Sequence, residues 1–253
     1  NQFKEHIKYY RNNFKIIDYK EAYNLIKSKN ENTDKYLLLT FDDNYIGSLN
    51  NAVPFLNKHN ITPIIFCNNS TFFHNKILWR VWLGDVYISN KRYINGYSFN
   101  EIMKITKRSH DYVMEHLWDE YQNYQAKNKC HFTYEDYKNS DLRFLVASHT
   151  CNHFMLSNLP YNKLIEEMIT SISEFKTYIN NEYSVKYFAY PYGHSGSFSK
   201  NEIRLLSDYY DDIIAFNDYN TFNGTKDQYN YPRINIGNDT LGEVVAKIKM
   251  FKL

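Results

Sequence analysis

Short apolar runs alternate along the chain with stretches whose apolar residues recur at helical spacing. A strand that is covered on both faces is apolar throughout, so a short apolar run bounded by polar residues predicts a buried strand. The runs with this character are residues 37–41, 61–67, 142–147, 185–190, 212–216 and 231–236. The first contains three consecutive leucines and ends in two carboxylates, Asp42 and Asp43.

Helices are predicted between these strands. Asp18 is a candidate N-cap for a helix that carries Ala22, Leu25 and Ile26 on one face. Further helices are predicted at about 47–59, 161–180 and 199–209, and from Leu241 onward. Because strands and helices alternate, the pattern predicts an α/β fold with a parallel sheet, as in a complete or distorted (β/α) barrel.

Residues 75–140 depart from this pattern because they are aromatic and charged and poor in strand signals. The run 99–127 has apolar residues at roughly helical spacing, which predicts a helical insertion after the second strand. A substrate lid, a dimer contact and packing filler are all compatible with such an insertion. No internal repeat or linker is visible, so we expect one domain over residues 1–253.

Composition narrows the class of protein. The 30 basic and 28 acidic residues are interspersed and give a net charge of +2, which argues against nucleic acid as a partner. No apolar run approaches the roughly 20 residues that span a bilayer. The three cysteines, Cys67, Cys130 and Cys151, form no CxxC pair, which favours a reducing compartment and a cytoplasmic location. The sequence starts at Asn1, so the cell envelope stays open as a location, and the oligomeric state stays open too.

The acidic pair is the first candidate for chemistry. Ligands gather at the ends of the strands in α/β sheets and barrels. Adjacent side chains point to opposite faces of a strand, but Asp42 and Asp43 can converge on one site where the chain leaves the pleat. An ordinary strand followed by an acidic helix N-cap would give the same pair, so the pair alone decides nothing.

A second polar cluster follows the run 142–147, with His149 and His153 four residues apart. This spacing places both on one helical face or around one point of a loop. With Asp43 they form a set of two imidazoles and one carboxylate, which suits Zn²⁺, Fe²⁺, Co²⁺ or Mn²⁺ and leaves positions for water and substrate. A lone histidine is more often a core or surface residue, and we interpret Cys151 as structural.

Three motifs together resemble the polysaccharide deacetylase family of carbohydrate esterases, which share a NodB-homology domain. They are Thr40-Phe41-Asp42-Asp43, Ser148-His149-Thr150-Cys151-Asn152-His153 and Phe188-Ala189-Tyr190-Pro191-Tyr192-Gly193. The resemblance spans about residues 36–240 without the insertion. It implies a distorted (β/α) barrel, and the third motif is similar to a variant found in a subgroup of the family.

The resemblance also implies roles. Asp42 is then the general base, while Asp43, His149 and His153 bind one divalent ion, with zinc expected and Fe, Co, Mn or Ni as alternatives. Such an ion acidifies bound water and polarises the amide carbonyl, and a carboxylate that does not ligate it can take the proton. The Tyr192 backbone N–H is expected to face the oxyanion.

The sequence departs from the family pattern at several points. Asn44 stands where a glycine often follows the acidic pair, and Ala189 stands where many relatives have an arginine that orients the base. Arg233, in Tyr231-Pro232-Arg233-Ile234, is expected to take over that task, the alternative being a surface strand residue.

The general acid is the largest departure. No histidine follows His194, so the C-terminal Leu-x-His motif that supplies the acid in many relatives is missing. His194 directly follows the Pro-Tyr-Gly turn and is a candidate for the role, because the near-neutral pKa of an imidazole suits it. The alternatives are an exposed His194 without a role and return of the proton by Asp42 or by water on the ion.

These features predict a metal-dependent hydrolase that removes an N-acetyl, or else an N-formyl, group from an amino sugar. The substrate is expected to be a glycan, a lipid-linked glycan or a nucleotide sugar. Two alternatives stay open: a degenerate homologue that only binds glycan, and an amidohydrolase that acts on a small non-sugar amide.

Overall fold

The protein is described here by a computed structural model. It describes residues 2–28, 34–89, 93–94, 97–98, 101, 119, 121, 123–124, 128–194, 196–218 and 227–251. Among these residues, no helix is long and apolar enough to cross a membrane.

Six parallel strands form the central sheet. They are β3 Thr40–Asp42, β4 Ile64–Cys67, β7 Leu145–Ser148, β8 Tyr187–Ala189, β9 Ile214–Asp218 and β10 Tyr231–Arg233. Their order in the sheet is β3-β4-β7-β8-β9-β10, so each strand pairs with the next one along the chain. The strands from β4 to β8 are wholly buried, which explains their continuous apolar sequences.

The sheet curls until its two outer strands meet through side chains. Arg233 on β10 donates to both carboxylate oxygens of Asp42 on β3, at 2.8 Å each, although the two strands share no backbone pairing. The predicted distorted (β/α) barrel is therefore confirmed, and a salt bridge spans the seam where a closed barrel would have a strand ladder.

The first run was predicted as one buried strand, and this is wrong in two respects. Residues 36–37 form β2 Tyr36–Leu37, which pairs with β1 Lys15–Ile16 in a separate small sheet, while β3 begins at Thr40. Both segments are only half-buried. The reason is that β3 lies at an edge and has a single strand neighbour in the central sheet.

Helices cover the sheet. They are α1 Gln2–Asn13, α2 Tyr19–Ser28, α3 Val53–Lys58, α4 Asn69–Phe72, α5 Trp79–Ser89, α6 Tyr134–Lys138, α7 Tyr161–Leu164, α8 Ser171–Tyr178, α9 Lys200–Tyr209 and α10 Leu241–Met250. π-helical turns at Ser48–Ala52 and Ile165–Thr170 lead into α3 and α8. Short 3₁₀ turns occupy Leu156–Asn158 and Glu182–Val185.

Three of the predicted helices begin at a side-chain cap, of which the sequence predicted Asp18. Asp18 accepts hydrogen bonds from the backbone N–H groups of Lys20 and Glu21, as an N-cap does. Ser199 and Thr240 form capping boxes at the starts of α9 and α10.

Helix α1 packs beside the seam of the sheet. Its buried Ile7 and Tyr10 form a core cluster with Val244 of α10. Its Phe3 ring lies 6.3 Å from the ring of Phe41 on β3. The helix thus covers the edge that the outer strands leave open, next to the carboxyl ends of the strands.

The insertion contains more than helix. Helix α5 begins it, and two short antiparallel strands follow, β5 Tyr93–Ile94 and β6 Tyr97–Ser98, which the sequence analysis did not predict. Most of the predicted helical run 99–127 lies outside the described residues. The end of the insertion returns to the sheet, where Phe132 donates a backbone hydrogen bond to Asn44.

Candidate active site

The carboxyl ends of the strands border a cleft of ≈ 910 Å³. All seven residues predicted from the sequence line it: Asp42, Asp43, His149, His153, Tyr192, His194 and Arg233. Parallel strands place the residues that follow them at the same edge of the sheet, which explains how positions so far apart in the chain meet.

A backbone reversal separates the two acids. Asp42 is the last residue of β3, and Asp43 and Asn44 have φ angles of 67° and 37°. The left-handed conformation turns the chain out of the pleat, so both carboxylates face the cleft, as the sequence analysis predicted. Asparagine tolerates this conformation better than most residues, which explains how Asn44 stands where relatives have glycine.

Asp43, His149 and His153 form one cluster, with a possible ligand atom from each within 4.8 Å of the others. Asp43 Oδ1 lies 3.3 Å from His153 Nε2 and 3.8 Å from His149 Nε2. Asp43 Oδ1 is buried and has no hydrogen-bond partner among the described residues. A buried carboxylate oxygen without a partner is costly unless a ligand completes it, so the three residues fit a divalent cation.

The two imidazoles present lone pairs to this cluster. His149 Nδ1 lies 2.8 Å from the carbonyl oxygen of Ala189, and an N–H at that position leaves Nε2 as an acceptor. Burial lowers the pKa of His153 to about 4, despite the opposing charge of Asp43. A neutral imidazole is the form that binds metal.

The loop between His149 and His153 is held in place by a buried glutamate, Glu167. Thr150 and His153 have positive φ angles of 70° and 58°, so the loop wraps around a point and is not helical. The Glu167 carboxylate accepts hydrogen bonds from the backbone N–H of Asn152 at 2.8 Å and from its side-chain amide at 2.7 Å. Burial raises the pKa of Glu167 to about 7. Sequence reasoning missed Glu167, which lies within the apolar pattern of a predicted helix.

Two asparagines, also missed, brace the strand ends. The side-chain oxygen of Asn44 accepts hydrogen bonds from Thr71 Oγ1 at 2.9 Å and from the backbone N–H of Asn68 at 3.2 Å. The Asn68 side chain donates to the carbonyl oxygen of His149 at 2.6 Å. These buried amides connect the ends of β3, β4 and β7 and fix the spacing of the cluster.

The second acid, Asp42, is held by the side chain of Arg233. Arg233 forms the bidentate pair with Asp42 and also donates to Thr40 Oγ1 at 3.1 Å. Burial alone would raise the pKa of Asp42, but the charge of Arg233 and its hydrogen bonds outweigh it and lower the pKa to about 2. Arg233 is thus not a surface strand residue, since only 15% of its side chain is exposed.

The Pro-Tyr-Gly turn forms another wall of the cleft. Tyr192 has a φ of 64°, and its ring centroid lies 4.8 Å from that of His153. Its backbone N–H donates no hydrogen bond to any acceptor in the described part of the chain. Gly193 has a φ of 62°, and a Cβ there would lie 2.7 Å from the Asp218 backbone nitrogen. The turn therefore requires a glycine at that position.

His194 and Asp218 lie beside each other at the rim of this turn. His194 is exposed, and its ring centroid is 6.2 Å from that of Tyr192. Burial raises the pKa of Asp218, while the neighbouring Arg233 and His194 oppose the increase. Sequence reasoning missed Asp218, which ends a strand and could have been found by the same strand-end rule that selected Asp42.

Strained backbone is concentrated here. Five of the seven non-glycine residues with positive φ in the described ranges belong to this site: Asp43, Asn44, Thr150, His153 and Tyr192. Such conformations persist where the surrounding structure enforces them, and they are common at functional sites.

Comparison with solved structures shows the same fold. The deacetylase PplD of Streptococcus pyogenes, solved with acetate, aligns with a TM-score of 0.61 and 15% identity over 97% of this chain and 85% of that one. IcaB of Ammonifex degensii has a TM-score of 0.57, 16% identity and coverage of 97% and 87%. A de-N-acetylase of Aggregatibacter actinomycetemcomitans has a TM-score of 0.57, 16% identity and coverage of 97% and 86%.

A comparison with curated protein sequences found no match. The family model described as polysaccharide deacetylase matches residues 29–208. The matched segment includes the acidic pair, both histidines and the Pro-Tyr-Gly turn, whereas Arg233 lies beyond it. The chain belongs to the polysaccharide deacetylase family.

Proposed function

We propose that this protein is a metal-dependent hydrolase that removes an N-acyl group, in the first place acetyl, from an amino sugar of a glycan. The observation that carries the proposal is the buried Oδ1 of Asp43, which has no hydrogen-bond partner among the described residues and lies beside two imidazoles, next to a second acid that is already paired. Family membership supports the carbohydrate substrate.

The cluster of Asp43, His149 and His153 would hold the ion. A divalent cation there supplies Lewis acidity, which polarises the acyl carbonyl and makes water more acidic. Two imidazoles and one carboxylate leave positions open for water and substrate, and they favour zinc while admitting Fe, Co, Mn or Ni.

Asp42 is the proposed general base. Its pKa of about 2 keeps it ionised at neutral pH, and Arg233 fixes the plane of the carboxylate through two hydrogen bonds. Asp42 Oδ2 lies 3.9 Å from His149 Nε2, so it borders the cluster. A carboxylate in this place can take a proton from the attacking water.

The backbone N–H of Tyr192 is the proposed oxyanion donor. It has no partner among the described residues, and the left-handed turn at Tyr192 and Gly193 fixes its direction. A preorganised donor stabilises the negative charge that develops on the acyl oxygen as the carbonyl is attacked.

His194 is the proposed general acid for the leaving amine. It lines the cleft beside Tyr192, and the carboxylate of Asp218 lines the same cleft. Its exposure permits the movement that contact with the amine requires.

The decisive experiment is an assay of acetate release from N-acetylated sugars, with purified protein before and after treatment with a chelator. We expect turnover that the chelator removes and an added divalent ion restores. Binding of glycan without turnover at any metal loading would refute a catalytic role. Release of acetate only from small non-sugar amides would show that the protein is an amidohydrolase of a different substrate class.

A further inference from the structure

A second arginine lines the cleft, and no described residue is its acidic partner. Arg80 lies in the first turn of α5, where the insertion begins, and its guanidinium carbon is 5.2 Å from the ring centroid of Tyr192. No carboxylate within the described residues lies within ion-pair distance of it. Arg233, in contrast, forms a bidentate salt bridge with Asp42.

The surroundings place Arg80 close to the proposed reaction centre. Arg80, Tyr45 and Tyr192 line the same cleft, and the ring of Tyr192 lies 4.8 Å from the ring of His153. A guanidinium has five N–H donors, more than its contact with Tyr192 can use.

Tyr45 belongs to the same wall. Its side chain lines the cleft, and the residue is 44% exposed, an unusual position for a large aromatic residue. The ring of His131, from the end of the insertion, stacks behind it with centroids 5.0 Å apart and planes at 27°. Backbone hydrogen bonds from Ile46 to Cys130 and from Phe132 to Asn44 fix this pair. Tyr45 therefore offers a rigid apolar face to a sugar ring.

We propose that Arg80 binds an anionic group, a carboxylate or a phosphate, that the glycan carries on or next to the sugar to be deacylated, while Tyr45 packs against the sugar itself. This deepens the proposed function and rests on it. A half-buried guanidinium that has no carboxylate partner in the described part of the chain is matched best by a planar or tetrahedral oxyanion, which accepts hydrogen bonds from two of its N–H groups. The insertion then contributes to substrate selection.

The test uses three substrates that differ in charge: N-acetylglucosamine 1-phosphate, N-acetylmuramic acid and neutral methyl N-acetylglucosaminide. We expect the wild-type protein to prefer one or both acidic sugars. Arg80→Gln should lower kcat/KM for the preferred acidic sugar by about 10- to 100-fold, the size expected for a charge-assisted hydrogen bond, and the change should appear in KM. The neutral sugar should be affected less than about threefold.

Matched variants test whether the effect depends on the position of the charge at Arg80 or only on the loss of one positive charge. Arg204→Gln removes the same charge from an 83% exposed side chain on α9 and should leave the preference unchanged. Tyr45→Ala should lower kcat/KM for acidic and neutral sugars alike. Arg80→Lys keeps the charge without the planar fork and should restore part of the preference.

Two outcomes would overturn the inference. Equal losses on acidic and neutral sugars, confined to kcat and reproduced by Tyr192→Phe, would show that Arg80 only positions Tyr192. A wild-type preference for the neutral sugar would exclude an anion site.

Calorimetry distinguishes failure of this inference from failure of the proposed function. Glucosamine 1-phosphate and methyl glucosaminide carry no acyl group and can be titrated whether or not the protein has activity. Tighter binding of the phosphate that Arg80→Gln abolishes would support the anion site even if no sugar were deacylated. Equal binding of both by wild type and variant would reject a phosphate site, and titration of muramic acid tests a carboxylate in the same way.

Discussion

The two acids of the site are neighbours in the chain, but the protein satisfies them to very different degrees. Asp42 has both oxygens paired with Arg233. Asp43 has a buried oxygen with no hydrogen-bond partner in the described residues. The Nε2 atoms of His149 and His153 lie 3.8 Å and 3.3 Å from that oxygen. One acid is paired within the protein, and the proposed cation would complete the other.

This difference indicates that Arg233 orients Asp42, whereas Asp43 is left to bind the proposed ion. Burial of an ion pair costs desolvation that close geometry must offset, and a bidentate arginine provides such geometry for Asp42. Binding of the proposed ion would offset the desolvation cost of the buried Asp43 oxygen, and the three ligands already lie close together in the folded protein. The following substitutions test whether the two halves are as independent as this comparison implies.

The largest effect is expected for Asp43→Ala. Loss of one of three protein ligands should remove the bound ion and reduce acetate release to background. Elemental analysis of the purified variant, together with the activity assay, measures both. Full activity in a variant that contains no metal would contradict the assignment of this half of the site.

Asp42→Asn should give the next largest loss. The amide cannot take a proton, and general-base catalysis contributes roughly 10²–10⁴-fold, so kcat should fall by that factor while the metal content stays at the wild-type level. The thermal unfolding midpoint is the control, because Arg233 loses its charged partner. If Asp42→Asn loses the metal and Asp43→Asn keeps it, the two roles are exchanged.

Arg233→Ala should slow turnover and change its pH dependence. Burial raises the pKa of Asp42 and Arg233 lowers it, so removal of Arg233 leaves burial less opposed and the pKa rises. The ionised base is then lost at a higher pH, and the acidic limb of the kcat/KM profile should move upward by about 1–3 units. Arg233→Lys, which keeps the charge without the bidentate geometry, should move it less. An unchanged profile would show that Arg233 only closes the sheet.

His194→Ala is expected to have the smallest effect, about 10²-fold on an amide substrate, the lower end of what general acid–base catalysis contributes. An acid is needed to expel an amine, whereas an activated ester has a leaving group that needs no proton, so the ester should be cleaved almost normally. The basic limb of the amide profile should disappear as well. Equal losses on ester and amide would exclude His194 as the acid.

The parts of the site that could be predicted are those written in contiguous sequence. Asp42, Asp43, His149 and His153 follow apolar runs within a few residues, and the strand-end rule brings them together. Arg233 was predicted from a family resemblance and not from its own surroundings. Its position beside Asp42 depends on the curl of six strands, which no local pattern specifies.

The parts that were missed depend on contacts between distant segments. Arg80 faces the cleft because the insertion folds back onto the strand ends, and His131 supports Tyr45 for the same reason. Glu167 has the sequence context of a solvent-facing helix residue, yet it is buried beneath the loop of Asn152. Residues 37–41 read as one apolar run, yet Leu37 pairs with β1 in the small sheet and Thr40 pairs with β4 in the central sheet. Apolar periodicity did not predict this division, because it does not specify which strand a residue pairs with.

The salt bridge that closes the sheet also divides the site unequally along the chain. Asp42 and Arg233 are 191 positions apart, whereas the proposed metal ligands all lie between residues 43 and 153. A truncation before β10 would therefore remove the partner of the proposed base and leave all three proposed metal ligands in the chain. Metal content and turnover are thus expected to depend on different lengths of the same chain.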